Sequence, residues 1–389
     1  MTRRIVLALA AAGFILAAVV FPRSETGQQP PAPAITIAQQ PLPARLSDST
    51  FLHLIERISE PGGYFDTDNL ISNESSYLHV IGRIRDLAIQ GGAYLGVGPD
   101  QNFSYIAAVQ PRLAFILDIR RDNLLQHIWF KSLFELSPTR IEFLCRMFGR
   151  LPPPQPDEWR NRSITDLIEY IDRSDYDAVA FAAARDSVMA KVARLAMPVS
   201  DDDLARIQRI HATFARAGMD LRYTSHGRAP RPGYPTYRQL LLESDRAGRK
   251  ASYLVTEDAY AFLRELQLRN LVVPVTGDFA GTHALREIAA YLRERGERVT
   301  TFYASNVEFY LMQDRTFDRF ADNVAALPAS PDGVIIRSLF GRIYEHPQAV
   351  AGYNSTQLLQ RIGTFVDEAR AGAYISYGDL VYRGYVDLR

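Results

Sequence analysis

Ala93-Tyr94-Leu95-Gly96-Val97-Gly98-Pro99-Asp100-Gln101-Asn102, followed by Leu113-Ala114-Phe115-Ile116-Leu117-Asp118-Ile119-Arg120, is the part of the chain whose reading decides the fold. The first run is apolar and ends in two glycines one residue apart. At Gly96 and Gly98 the chain can turn tightly and a ligand can approach bare backbone. Phe103, Ile106, Ala107 and Val109 follow at helical spacing. The second apolar run ends at Asp118, 20 residues beyond Gly98 (118 − 98). The order is strand, glycine turn, helix, and a second strand ending in a carboxylate. In such units the turn and the helix start hold a ligand and the acid takes ribose hydroxyls. The same residues also allow a purely structural turn with no ligand.

Downstream, Leu271-Val272-Val273-Pro274-Val275-Thr276, Val299-Thr300-Thr301-Phe302-Tyr303-Ala304 and Gly333-Val334-Ile335-Ile336-Arg337-Ser338 read as buried strands, most alternating with helical patterns. Each runs into a polar turn. Five such strands predict an α/β fold, a doubly wound, mostly parallel Rossmann-like sheet. Between residues 151 and 217 the pattern is helical, which reads as an α-helical insertion. Residues 223–237 are rich in Gly, Pro and Arg and cannot form a regular element. A loop of that length is either a lid over a site or an ordinary surface loop.

Toward the N-terminus, residues 46–58 are an amphipathic helix pattern. Asn69, Asn73 and Glu74 sit in a polar, aromatic-led stretch where Ser72 or Asn73 can cap a helix carrying Tyr77, Val80, Ile81 and Ile84. That helix feeds into the strand at Ala93, so these three polar residues belong near the ligand edge or serve as a cap. Before residue 46 the chain changes character. Arg3 and Arg4 precede an uncharged apolar run to Phe21, which makes 1–22 a signal peptide or an N-terminal membrane anchor. Residues 23–45 are a Pro/Gln/Ala-rich disordered linker, and 46–389 the folded domain. The leader implies a membrane or an export machinery as partner, with the domain exported or held at the inner membrane.

Apolar residues make up 47% of the chain, enough for a large core, and 44 basic residues balance 44 acidic ones. No nucleic-acid partner is expected from such a balance; a small-molecule ligand is. Cys145 is the only cysteine, so there is no internal disulfide and no cysteine-rich zinc site. Its helical apolar surroundings make it an inert buried thiol. The histidines are scattered without His-Glu-x-x-His spacing, and no metal site is expected. No Gly-x-Ser-x-Gly elbow and no Gly-Lys-Ser/Thr phosphate loop occurs, so hydrolase and nucleoside-triphosphatase readings recede.

The order of a glycine turn, an acid, Gly277-Asp278-Phe279 at one strand end and Ser305-Asn306-Val307-Glu308 at the next resembles class I S-adenosylmethionine-dependent methyltransferases. Residues 65–74, 92–150 and 271–311 also resemble a bacterial family with that expected fold. Tyr94 and Asp100 depart from the methyltransferase pattern, which has an acid and a glycine there. The resemblance implies S-adenosylmethionine as cofactor, no metal, and a ligand edge with assigned roles. Gly96, Gly98, Pro99 and Asn102 would pass its methionine part, and Asp118 would accept from both ribose hydroxyls. Asp278 would take the adenine amino group with Phe279 against the ring. Ser305 and Asn306 would occupy the acceptor's place and Glu308 would be the base. Asn69, Asn73, Glu74 and Arg337 complete the expected substrate side. Two functions follow: a methyltransferase of undefined acceptor, or a non-catalytic, membrane-tethered or exported binding protein that keeps the fold. An export signal favours the second, because S-adenosylmethionine is a cytoplasmic compound.

Overall fold

The computed structural model describes residues 40–389 apart from 227, 229, 230, 232 and 342–345. The expected leader and the linker up to residue 39 lie outside the described residues. Residues 40–45 run along the body: the Gln40 N–H donates to the Glu294 carbonyl (3.1 Å) and, just beyond, the Leu46 N–H to that of Arg269 (3.0 Å). Among the described residues no helix is long and apolar enough to cross a membrane.

Helix α1 (Asp48–Ile58) is capped by Ser47, whose side chain accepts from the Thr50 N–H, and buries Phe51, Leu54, Ile55 and Ile58. The helix expected from residue 72 starts only at α2 (Ile81–Asp86). Ser75 and Ser76 spend their N–H groups on Asn354 and Ser355, 279 residues away, which draws this stretch out of helical geometry. Strand β1 (Ala93–Gly96), α3 (Gln101–Val109) and β2 (Leu113–Asp118) form the unit read from the opening stretch. Both strands are buried along their whole length, as parallel strands covered on two faces are.

Next come α4 (Arg121–Leu136) and α5 (Arg140–Phe148), the latter closed by a Thr139–Glu142 capping box. The stretch read as a helical insertion holds α6 (Ile164–Arg173), α7 (Ala178–Arg194) and α8 (Asp201–Ala217). α4 is buried on nearly every side because α7, α8, α10 (below) and the sheet surround it. α9 (Tyr237–Leu241) and α10 (Glu257–Leu268) lead to β3 (Val272–Thr276), then α11 (Ala284–Glu294) and β4 (Val299–Ser305). α12 (Val307–Gln313) and α13 (Phe317–Ala325) precede β5 (Ala329–Phe340), and β6 (Ser355–Arg361) follows. α14 (Ile362–Arg370), α15 (Tyr377–Tyr382) and the short β7 (Tyr385–Val386) complete the chain.

The seven strands form one mixed, mostly parallel sheet in the order β3-β2-β1-β4-β5-β6-β7. β1 to β5 are parallel; β6 runs against β5, with Phe340 opposite Ser355, and β7 runs against β6. From β1 the chain moves outward to β2 and β3, and from β4 it moves the other way to β5. The order therefore reverses between β1 and β4. Beyond the carboxyl ends of that pair a crevice opens where sheets of this kind hold ligands.

Candidate ligand-binding site

The turn after β1 is closed by the chain's own side chains. The Asn102 amide donates to the carbonyls of Val97 (2.9 Å), Gly98 (3.2 Å) and Pro99 (2.7 Å), and its oxygen accepts from the Tyr94 hydroxyl at 2.8 Å. A Cβ on Gly96 would sit 1.9 Å from that oxygen, so this glycine makes room for Asn102 and not for a ligand. Gly98 adopts φ +83°. Its carbonyl lies 2.9 Å from Nε2 of His127, a buried imidazole whose pKa burial lowers to about 4. Asp100, next in the turn, is buried beneath the hydroxyls of Tyr237 (2.7 Å) and Tyr253 (3.3 Å). Burial pushes its carboxyl up to about 6.

Asp118, expected to lie open to a ribose, is 4% exposed and fully engaged. Oδ1 accepts from the Arg120 N–H (2.8 Å) and Oδ2 from the Arg120 guanidinium (2.9 Å), which also donates to the Asp68 carbonyl. At the end of β3, Oδ1 of the half-exposed Asp278 accepts from the Ala280 N–H within its own turn, and the Asp278 N–H donates to Glu60. Phe279 points inward and stacks on Phe320 at 5.7 Å, so it has no face for an adenine. Glu308 and Arg337 were expected as a base and a substrate ligand. They form a buried ion pair instead, at 2.6 and 3.1 Å, with Gln360 accepting from the same guanidinium. As folded, these groups do not fit S-adenosylmethionine: the acid meant for the ribose and the ring meant for the adenine are both taken.

The other half of the edge is open. A cleft of about 1230 Å³ lies beyond β4, β5 and the start of β6. Asn73, Asn306 and Asn354 contribute amides to its wall. Tyr64, Phe65, Phe309, Tyr310 and Tyr353 contribute rings, and Tyr223, Arg228, Arg231 and Tyr234 come from the Gly/Pro/Arg-rich loop. The base of that loop is pinned: Arg222 bridges to Thr236, the Thr67 hydroxyl donates to the Thr224 carbonyl at 2.6 Å, and Arg228 pairs with Asp66. Tyr64 is 78% exposed, and its hydroxyl donates to Asp66. Of the residues predicted from sequence, Asn73 and Asn306 line this cleft. Asn69 lies at the β1 side of the crevice, its amide 3.6 Å from where a Gly98 Cβ would be.

Glu74 lies behind the cleft wall, 1% exposed. Oε1 accepts from the hydroxyls of Tyr303 (2.7 Å) and Ser305 (2.5 Å), and Oε2 from the Gln357 amide (2.5 Å). Burial raises its pKa against the pull of those bonds. Sequence reasoning missed the aromatic wall, because its rings come from four distant segments. The structural alternative for Asp118, a pairing with Arg120 or Arg121 in the same turn, is legible in the sequence, and the fold uses Arg120.

Cys145 is buried, its thiol beside the Leu151 carbonyl at 3.6 Å, and burial pushes its pKa up to about 12. A comparison with curated proteins finds no match. A family match spans residues 69–370, which takes in β1 to β6, the glycine turn and most of the cleft. By that match the chain belongs to the family described as "Domain of unknown function (DUF7790)".

Proposed function

We propose that the chain is a ligand-binding protein with a Rossmann-like arrangement, which takes a small molecule in the aromatic cleft beyond β4 to β6. The observation that carries this reading is the contrast between the two halves of one edge. Both oxygens of Asp118 are bonded to Arg120, whereas the cleft presents rings, amides and two arginines to solvent. The chemistry of the cleft suits a flat or ring-shaped ligand with an anionic group: tyrosine faces take apolar planes and arginines take the charge. Net charge from Arg228, Arg231 and Asp66 is positive. An N-terminal leader would put this binding domain on the membrane or beyond it.

Methyl transfer is the second reading, supported by Asn306 standing on the cleft wall at the place that the resemblance gives to the acceptor. It requires Arg120 to leave Asp118, breaking a pair whose side chains are 8% and 5% exposed. Two titrations of the purified protein separate the readings. The flat aromatic anion 8-anilinonaphthalene-1-sulfonate should bind the folded protein and lose affinity at least about tenfold in Tyr310→Ala/Arg231→Ala. Calorimetry with S-adenosylmethionine should give no heat. Heat that vanishes in Asp118→Ala would overturn the binding reading in favour of methyl transfer.

A further inference from the structure

Ser305, the last residue of β4, adopts left-handed backbone at φ +54°. For Ser305 this conformation is strained, and glycine or asparagine would hold it at less cost. The serine sits in the single turn that joins β4 to α12. Strain of this kind persists where the surroundings impose it, and it collects at functional sites. A strained serine between a strand and a helix, at the carboxyl edge of a parallel sheet, is the backbone arrangement that exposes a nucleophilic hydroxyl in acyl-transfer enzymes.

The Ser305 hydroxyl donates to Oε1 of Glu74 at 2.5 Å. Glu74 is buried with no cation beside it among the described residues, and Tyr303 and Gln357 fix its orientation. Burial raises its proton affinity, as a general base for a hydroxyl requires. The chain neighbours of the pair, Asn73 and Asn306, both line the cleft. Each member of the pair therefore adjoins a cleft-lining residue in the chain, and Ser305 is only part-buried. A role in binding alone would not require this arrangement.

We propose that Ser305 is a nucleophile and Glu74 its general base, and that the protein hydrolyses a carboxylic ester bound in the aromatic cleft. The Ser305 oxygen bonds to the ester carbonyl carbon while its proton passes to Glu74. The carbon–oxygen bond to the alcohol then breaks, and the alcohol leaves with that proton. Water attacks the acyl-serine, returns a proton through Glu74 to the serine oxygen, and releases the carboxylic acid. This inference rests on the cleft as the ligand site and goes beyond binding. The sequence conceals it because no Gly-x-Ser-x-Gly surrounds Ser305.

An alkyl fluorophosphonate tests it on the full chain, with the adduct located by mass spectrometry. The serine oxygen displaces fluoride from phosphorus, so labelling reads the nucleophile without a known ester. One adduct per chain at Ser305 is expected. Ser305→Gly should give none while still unfolding cooperatively, since glycine accepts φ +54° without strain and Glu74 keeps its bonds from Tyr303 and Gln357. Glu74→Gln should slow labelling at least about 100-fold. A folded wild-type protein left unlabelled overnight overturns the proposal, as does equal labelling of Glu74→Gln. Tyr310→Ala separates the two readings. Ser305 labelling unchanged in that variant, with 8-anilinonaphthalene-1-sulfonate binding also unchanged, refutes the cleft as the ligand site and leaves the serine–glutamate pair standing. Sulfonate binding without any labelling refutes the pair alone.

Discussion

Replacing Asp118 by alanine discriminates best between a ribose-binding acid and a structural one. The carboxylate and the Arg120 guanidinium are 5% and 8% exposed and joined at 2.9 Å, with a second bond from the Arg120 N–H at 2.8 Å. Removing one partner of a buried pair leaves the other charge uncompensated and costs about 3–5 kcal/mol. Arg120 keeps one bond to the Asp68 carbonyl, which places the expected loss near the lower bound, about 3 kcal/mol. In a domain of this size that corresponds to a fall in melting temperature of roughly 4 °C. Calorimetric melting and urea denaturation of Asp118→Ala measure it. Asp118→Ala/Arg120→Met should recover part of the loss, because no unpaired charge then stays inside. An unchanged melting temperature in Asp118→Ala, together with lost affinity for adenosine or S-adenosylmethionine, would refute this assignment.

Asp100 makes stability depend on pH. Its folded pKa of about 6 lies above the ordinary 3.8, so its stabilising contribution is complete below about pH 4 and is lost as pH rises through 6. Wild type should lose about 2 kcal/mol relative to Asp100→Asn between pH 4 and 7, read by urea denaturation at each pH. That difference cancels His79, His127 and His211, which burial holds near 4 and which act in the opposite sense. Glu308→Ala should cost about 3–5 kcal/mol of stability by stranding Arg337, which is 1% exposed; a base in an open cleft would cost almost nothing. Gly96→Ala should destabilise by about 1–3 kcal/mol, since its Cβ meets Asn102 Oδ1 at 1.9 Å and must displace a side chain that holds three carbonyls. Thermal melting that matches wild type would contradict it.

The sheet was legible because buried parallel strands are unbroken apolar runs. Ala93–Gly96, Leu113–Asp118 and Val272–Thr276 stand out from their neighbours for that reason. Capping is equally local, a side chain serving an N–H three residues on, as at Thr139 and Thr256. β6 was not legible. Its inward positions include Gln357 and Gln360, polar residues that become buried only because Glu74, Arg337 and Ser338 arrive from elsewhere to bond them. Ser75 and Ser76 look like the start of a helix until Asn354 and Ser355 lie beside them.

The sequence by itself determined the five parallel strands, most of the helices and the turns at the strands' carboxyl ends, because periodicity and capping act within a few residues of chain. It could not determine whether a polar residue at that edge is free or engaged. Asp118, Glu308 and Arg337 carry the residue types of a site, and the tertiary structure gives each a buried partner. The cleft that remains draws Tyr64 and Asn73, Tyr223 and Tyr234, Asn306 and Tyr310, and Phe340 and Tyr353 from four distant parts of the chain, and only packing brings those together. A buried charge is held by whatever opposite charge or hydrogen-bonding group the fold delivers to it, and that depends on contacts between segments hundreds of residues apart.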